Sequence, residues 1–245
     1  MQARRSPQAR RAPRRTATAS PGTELYYKGN NTDGTGSFAG PNGDTILVQN
    51  SELDGALTAT NSGVPQSGVP TYDPGHRGGT STSVLDANGN LVSLVTSIAG
   101  TYSNCSGGVM SWNTWLTCEE TEASNGAILH GYVFEVDPQD ALPAVGTPVA
   151  NLKTKAIPLT AIGRFAYEAV AVDLATNVAY LTEDAGASVL AGSSTGYSKN
   201  DLFYKFVPTN VASGYGSYHA VRDEGRQPDQ PRAGVAGATS LPQRT

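Results

Sequence analysis

The amino-acid sequence predicts an all-β fold, because short runs of β-prone residues alternate with turn-forming residues along most of the chain. The 245 residues include 28 glycines and 15 prolines, which favour frequent turns and leave little room for long helices. β-branched and aromatic residues dominate nine runs of strand length. These predicted strands are 24–28, 44–49, 80–86, 91–97, 114–119, 131–137, 166–173, 178–183 and 201–207.

Two connections between predicted strands have the composition of hairpin turns. Residues 86–90 include Asn88-Gly89, a pair that supplies the positive φ such turns need. Residues 173–177 form the second connection, and the run from 172 to 184 has a pattern that recurs in β-propeller blades. We therefore predict an incomplete β-propeller, with a β-sandwich as the other option. Because no clear internal repeat is visible, the number of blades is not predicted.

The charged residues divide the chain into three segments. Residues 1–20 contain six arginines and no acidic residue, as in the charged part of a twin-arginine export signal, but no apolar region follows them. Residues 21–212 contain 7 basic and 18 acidic residues, which disfavours nucleic-acid binding and favours bound cations. We predict a disordered leader remnant at 1–21, a partial β-propeller at 22–210 and a disordered or out-of-frame tail at 211–245. No apolar run is long enough for a transmembrane helix.

The stretch from 104 to 121 carries the strongest chemical signal. Cys105 lies in a glycine-rich bend, where Gly107 and Gly108 would let the backbone approach a metal closely. A thiolate suits a transition metal better than calcium, so Cys105 is a candidate metal ligand. The alternatives are a buried thiol and a disulfide with Cys118, although we interpret Cys118 as a core residue.

Carboxylates near the ends of predicted strands are the other candidate ligands. Side chains alternate along a strand, so only one of Glu119 and Glu120 can face a central channel. Glu168 lies in the otherwise apolar run 165–172, where burial would require compensation by a metal or by Arg164. Three further candidates precede or follow strands, and a solvated position is the alternative for each: Glu52, Glu183 and Asp184.

Histidines do not contribute to the predicted site. His76, His130 and His219 lack the spacing of metal-binding histidine motifs, and we interpret them as structural or surface residues. Arg164 has two interpretations, as a bidentate ligand of a substrate phosphate or as a structural partner of a carboxylate. The sequence contains neither a nucleophile elbow of the G-x-S-x-G type nor a P-loop.

Seven segments in order over about 22–210 resemble the N-terminal half of the PhoX-type alkaline phosphatases. They are Asn50 to Gly55, Arg77 to Thr80, Asn104 to Gly108, Trp115 to Thr121, His130 to Val136, Gly163 to Asp173 and Tyr180 to Asp184. Two positions depart from the family pattern, since Ser51 and Tyr167 stand where the family usually has histidine. The family's later motifs, which are expected to supply further ligands, have no counterpart after residue 210.

The resemblance implies a β-propeller enzyme that hydrolyses phosphate monoesters with iron and calcium in a central site. With the resemblance, we predict metal ligands among Glu52, Cys105, Glu120, Glu168, Glu183 and Asp184, with iron bound by Cys105. Arg164 is the predicted catalytic residue. It also implies a periplasmic or extracellular location and small phosphate monoesters as substrates. We predict a monomer. The alternatives are a catalytically inactive calcium-binding fragment and a calcium-dependent lactonase-like propeller, which would not need Cys105.

Overall fold

The computed structural model describes residues 31–58, 63–142, 152–184, 202–208, 218 and 238–240. Within these ranges the chain forms thirteen β-strands and three short 3₁₀ helices, at Pro41–Gly43, Pro138–Ala141 and Thr160–Ile162. This architecture confirms the all-β prediction. The predicted strand 24–28, the arginine-rich segment 1–21 and His219 lie outside the described residues, as does most of 211–245.

The first sheet is an antiparallel meander of four strands. It contains β1 (Thr32–Ala39), β2 (Thr45–Ser51), β3 (Gly78–Leu85) and β4 (Leu91–Thr101), in that order across the sheet. Alternation along β2 buries Ile46, Val48 and Asn50 on one face, as period-two patterning predicts. The 86–90 hairpin forms as predicted: the Gly89 amide donates to the Asp86 carbonyl, and Gly89 has a φ of 80°.

A smaller sheet occupies the middle of the chain. Its three strands are β5 (Asn104–Val109), β6 (Trp115–Glu119) and β9 (Val133–Val136), with β6 in the centre. The short strands β7 (Ser124–Asn125) and β8 (Ile128–Leu129) pair with each other in the excursion between β6 and β9. Every residue of β6 and β9 is buried, which is typical of a central layer.

The last sheet is a second four-stranded antiparallel meander. Its order is β10 (Tyr167–Asp173), β11 (Val178–Glu183), β12 (Phe203–Phe206) and β13 (Ala238–Ser240). Four-stranded antiparallel meanders are the units from which β-propellers are built, so the sheet organisation agrees with the predicted propeller-like fold. β13 and the buried Tyr218 belong to the segment 211–245 that we predicted to be disordered.

Two apolar clusters hold these sheets together. One packs the first sheet against the middle sheet and includes Phe38, Ile98, Trp115 and Phe134. The other packs the middle sheet against the last one, and its buried members are Cys105, Met110, Leu116, Cys118, Val133, Leu159, Ile162, Phe165, Tyr167, Val170, Ala179, Leu181, Phe206 and Tyr218. Both cysteines of the chain, Cys105 and Cys118, are free thiols, so the alternative of a disulfide between them is wrong. In the described part of the chain, no helix has the length and apolar character of a membrane span.

Candidate metal centre

Three of the predicted ligands meet at the junction of the middle and last sheets. Cys105 belongs to β5, Glu120 directly follows β6, and Glu168 belongs to β10. Cys105 Sγ and one carboxylate oxygen from each glutamate all lie within 4.8 Å of one another. A thiol and two carboxylates at this separation could together bind one cation.

An irregularity in the β5–β6 ladder positions Cys105. Asn104 pairs with Glu119 and Gly107 pairs with Thr117, so the register shifts across the cysteine. Such bulges re-aim a side chain relative to the regular pleat. Asn50 then fixes the bulged backbone, because its Nδ2 donates to the carbonyl oxygens of Cys105 (3.1 Å) and Ser106 (2.8 Å).

The two glycines after Cys105 allow β5 to lie close to its neighbouring strands, and the predicted close approach to a metal stays a prediction. A Cβ on Gly107 would be 1.9 Å from the Leu116 carbonyl oxygen, and a Cβ on Gly108 would be 2.2 Å from that of Val170. No side chain fits at such distances, so glycine is required at both positions. The close approach draws β5 toward both β6 and β10, which carry the two glutamates.

The thiol of Cys105 is surrounded by oxygen acceptors. Its Sγ lies 2.8 Å from the carbonyl oxygen of Tyr167 and 2.9 Å from that of Glu168. Burial, followed by the neighbouring Cys118 thiol and the charges of Glu168 and Glu120, raises the pKa of Cys105 well above its ordinary value. Cys105 therefore stays protonated unless a bound cation stabilises the thiolate.

The carboxylates around this thiol repel one another. Burial and then the charges of Glu168, Asp184, Glu52 and Asp33 raise the pKa of Glu120 to about 7. The pKa of Glu168 is raised by burial, Asp184 and Asp33, and the pKa of Glu52 by burial, Asp33, Asp54 and Glu168. Each of these charges is negative, and a bound cation would relieve the repulsion.

The remaining predicted site residues have different surroundings. Asp184 is close enough to raise the pKa of both Glu120 and Glu168, whereas Glu183 accepts a hydrogen bond from the Tyr204 hydroxyl at 2.9 Å. The Arg164 guanidinium donates to backbone carbonyls: Nε to His130 at 2.7 Å, and Nη2 to Ala123 at 3.1 Å and to Glu122. The catalytic role predicted for Arg164 stays a prediction.

The family assignment comes from a match over residues 87–228 to the model of the family described as alkaline phosphatase PhoX. The match covers more than half of the 245 residues. The chain belongs to the PhoX family. Among solved structures, it is similar to Pseudomonas fluorescens PhoX in complex with vanadate, a transition state analogue, with 18% identity and a TM-score of 0.43. That similarity covers 78% of this chain and 43% of the solved one. No curated protein sequence matches the chain.

The match to the PhoX family includes Cys105, Glu120 and Glu168 but begins after Glu52 and Asp33. Asp33 was not among the metal ligands predicted from the sequence. Its Asp-Gly pair resembles a calcium-loop signal, yet Asp33 lies in β1, an exposed strand with few apolar residues. The pairing of β1 with β2, which ends beside Glu52, brings Asp33 close to the other carboxylates.

Sequence reasoning also missed a second polar cluster on the other side of β6. The carboxylate of Glu119 accepts hydrogen bonds from His130 Nδ1 at 2.7 Å and from the amides of Tyr102, Gly131 and Tyr132. Beyond His130 lie Asp73 and His76, and the three form a second group of buried residues that could hold a metal ion. The interpretation of His76 and His130 as structural residues did not anticipate that they meet.

Proposed function

We propose that this chain is a metal-dependent phosphate monoesterase of the PhoX type, in which Cys105, Glu120 and Glu168 bind iron. The observation that carries the proposal is the convergence of one thiol and two carboxylates within 4.8 Å, on three different strands or strand ends. The thiol favours a transition metal over calcium, and the lactonase alternative gives no role to this thiol.

The outer carboxylates fit a harder cation. Glu52, Asp33 and Asp184 supply oxygen ligands of the kind that calcium prefers, and their charges already act on Glu120 or Glu168. Calcium at this position is part of the proposal. Glu183 would take part only after exchanging its hydrogen bond with Tyr204 for a cation.

The bound cations would supply positive charge that stabilises the phosphoryl oxygens. Other residues of the chain hold the proposed ligands in position. Asn50 holds the backbone of Cys105, and the glycines keep β5 against β6 and β10. The raised pKa of Glu120, about 7, leaves its carboxylate partly protonated near neutral pH, and a bound cation would displace that proton. Arg164 holds the segment 122–130 through the carbonyls of Ala123 and His130.

The proposed substrate class is small phosphate monoesters, and the proposed location is the periplasm or the extracellular space. Both rest on membership in the PhoX family. A catalytically inactive, calcium-binding protein is the second candidate, because the oxygen donors of the outer carboxylates could bind calcium without Cys105.

The test compares Cys105→Ser with a matched variant, Cys118→Ser, since both thiols are buried and lie on neighbouring strands. Each purified protein is loaded with iron and calcium, freed of excess metal and measured by elemental analysis. Hydrolysis of p-nitrophenyl phosphate is assayed in parallel. We expect Cys105→Ser to bind one iron ion fewer per chain than the parent and Cys118→Ser, and to lose turnover. Equal iron in both variants would contradict the assignment, and calcium without turnover would support the second candidate.

A further inference from the structure

The second polar cluster has the organisation of a metal site and lies outside the predicted metal centre. Asp73 and His76 belong to the loop before β3, and His130 follows β8. All three are buried, with side-chain exposures of 2%, 8% and 0%. One ligand atom from each lies within 4.8 Å of the others.

The contacts of His130 fix the role of each ring nitrogen. Its Nδ1 lies 2.7 Å from Glu119 Oε1, so Nδ1 carries the proton and donates. In neutral imidazole the other nitrogen, Nε2, is an acceptor, yet it faces Asp73 Oδ2 at 3.2 Å. Two acceptors at this distance require a cation between them, which is either a second proton or a metal ion.

Asp73 Oδ2 is shared by both histidines. His76 Nδ1 lies 2.9 Å from the same oxygen that faces His130. In a tetrahedral zinc site the metal–ligand bonds are about 2.0–2.1 Å, which places ligand atoms about 3.3 Å apart. The observed separations of 2.9 and 3.2 Å from Asp73 to the two rings are close to this spacing.

Two of the three ligands, His130 and Asp73, also have the outer partners that metal sites use to orient their first ligands. Glu119 orients His130 through Nδ1, and its second oxygen accepts from the amides of Gly131 and Tyr132. Asp73 accepts from the Gly75 amide at 2.8 Å and from Asn125 Nδ2. A carboxylate behind a ligating histidine is the arrangement typical of zinc proteins.

We propose that Asp73, His76 and His130 bind a divalent transition metal, zinc by ligand type, at a site separate from the one at Cys105. Two imidazoles and one carboxylate suit zinc better than calcium, which prefers oxygen ligands alone. The metal would tie the loop before β3 to the excursion between β6 and β9. This site does not depend on phosphatase activity.

The experiment uses the full chain with Cys105→Ser and Glu120→Gln, which removes the first site. The protein is titrated with Co²⁺ and Zn²⁺ against a competing chelator. We expect one Co²⁺ per chain with visible d–d absorption and without the near-ultraviolet band of a cobalt–thiolate bond, followed by displacement by Zn²⁺. Adding Asp73→Asn or His76→Gln should weaken zinc affinity by about 100-fold or more, whereas Asp86→Asn, which changes a partly exposed carboxylate of the 86–90 turn, should leave it unchanged.

Nitrogen NMR of labelled histidine provides a readout that does not depend on whether a variant folds. In the zinc-loaded parent, Nε2 of His130 should lose its proton and show the shift of a metal-bound nitrogen, while Nδ1 keeps its proton. Protons on both nitrogens of His130 in excess zinc would overturn the proposal, and so would zinc retention no greater in the parent than in His76→Gln. Those results would establish a charged hydrogen-bond network in place of a metal site.

Discussion

The carboxylates of Glu119 and Glu120 are neighbours in sequence but belong to two different clusters. Glu119 is fully buried and accepts a hydrogen bond from His130 at 2.7 Å. Glu120 lies beside Cys105 and Glu168, where its surroundings raise its pKa to about 7. Because side chains alternate at the end of β6, one short strand supplies two polar sites.

Neutralising Glu119 should destabilise the metal-free protein, whereas neutralising Glu120 should not. Glu119→Gln removes the charge from a buried, fully hydrogen-bonded pair with His130, and we expect the free energy of unfolding to fall by about 3 kcal/mol. Glu120→Gln removes a charge that other carboxylates repel, so stability should stay the same or rise. Urea unfolding measures both. Equal destabilisation by the two variants would contradict the division into two clusters.

The metal-free protein should lose stability as the pH rises from about 4.5 to about 7. The pKa of Glu120 is about 7 in the folded protein against an ordinary value of 4.5, so the folded state binds more protons in this window. The raised pKa values of Glu52 and Glu168 act in the same direction. Urea unfolding at pH 5, 6, 7 and 8 should show the decline, and Glu120→Gln should make it shallower. A pH profile that is identical in parent and variant would show that Glu120 is not strained by its neighbours.

Much of the fold could be predicted because its strands carry their own signal. β-branched and aromatic runs predicted β2, β3, β4, β6, β9, β10, β11 and β12 within a few residues of their ends. Five strands were missed, namely β1, β5, β7, β8 and β13, and for β1 and β5 the physical reason is clear. β1 is mostly exposed and contains two glycines, and β5 has the sequence Asn-Cys-Ser-Gly-Gly-Val. Each pairs with the next strand along the chain, β1 with β2 and β5 with β6, so its strand structure comes from this pairing and not from local propensity.

The site was predictable in part. A thiol and glutamates at strand ends indicated a cation, and the structure brings Cys105, Glu120 and Glu168 together. The cluster of Asp73, His76 and His130 has no spacing that a motif could detect, since it depends on how two loops fold across the end of β6. The hydrogen bonds of Arg164 could not be predicted either, because their acceptors are backbone carbonyls, which every residue has.

Gly108→Ala should disrupt the junction that holds Cys105. The added Cβ would lie 2.2 Å from the Val170 carbonyl oxygen, so β5 and β10 would have to separate. We expect a loss of about 2 kcal/mol or more in the free energy of unfolding, together with weaker metal binding. Gly89→Ala is the control, since a Cβ on residue 89 would meet no atom within 4 Å. Its only cost is the positive φ, which destabilises a non-glycine residue by about 1 kcal/mol. If Gly108→Ala is no more destabilising than this control, the close approach of β5 to β10 is wrong.

Arg164→Lys should lower stability even though the charge is kept. A lysine ammonium cannot donate from the positions of both Nε and Nη2, so it cannot satisfy the carbonyls of His130 and Ala123 together. We expect the free energy of unfolding to fall by about 2 kcal/mol, because hydrogen bonds from a charged donor are lost. Lys153→Arg, an exposed exchange next to Asp137, is the matched control and should be neutral.

Steady-state kinetics then separate the two interpretations of Arg164. If it orders the 122–130 loop, the loss of activity should follow the fraction unfolded, and inhibition by inorganic phosphate should be unchanged. Weaker phosphate inhibition in a fully folded Arg164→Lys protein would instead support the catalytic role predicted from the sequence.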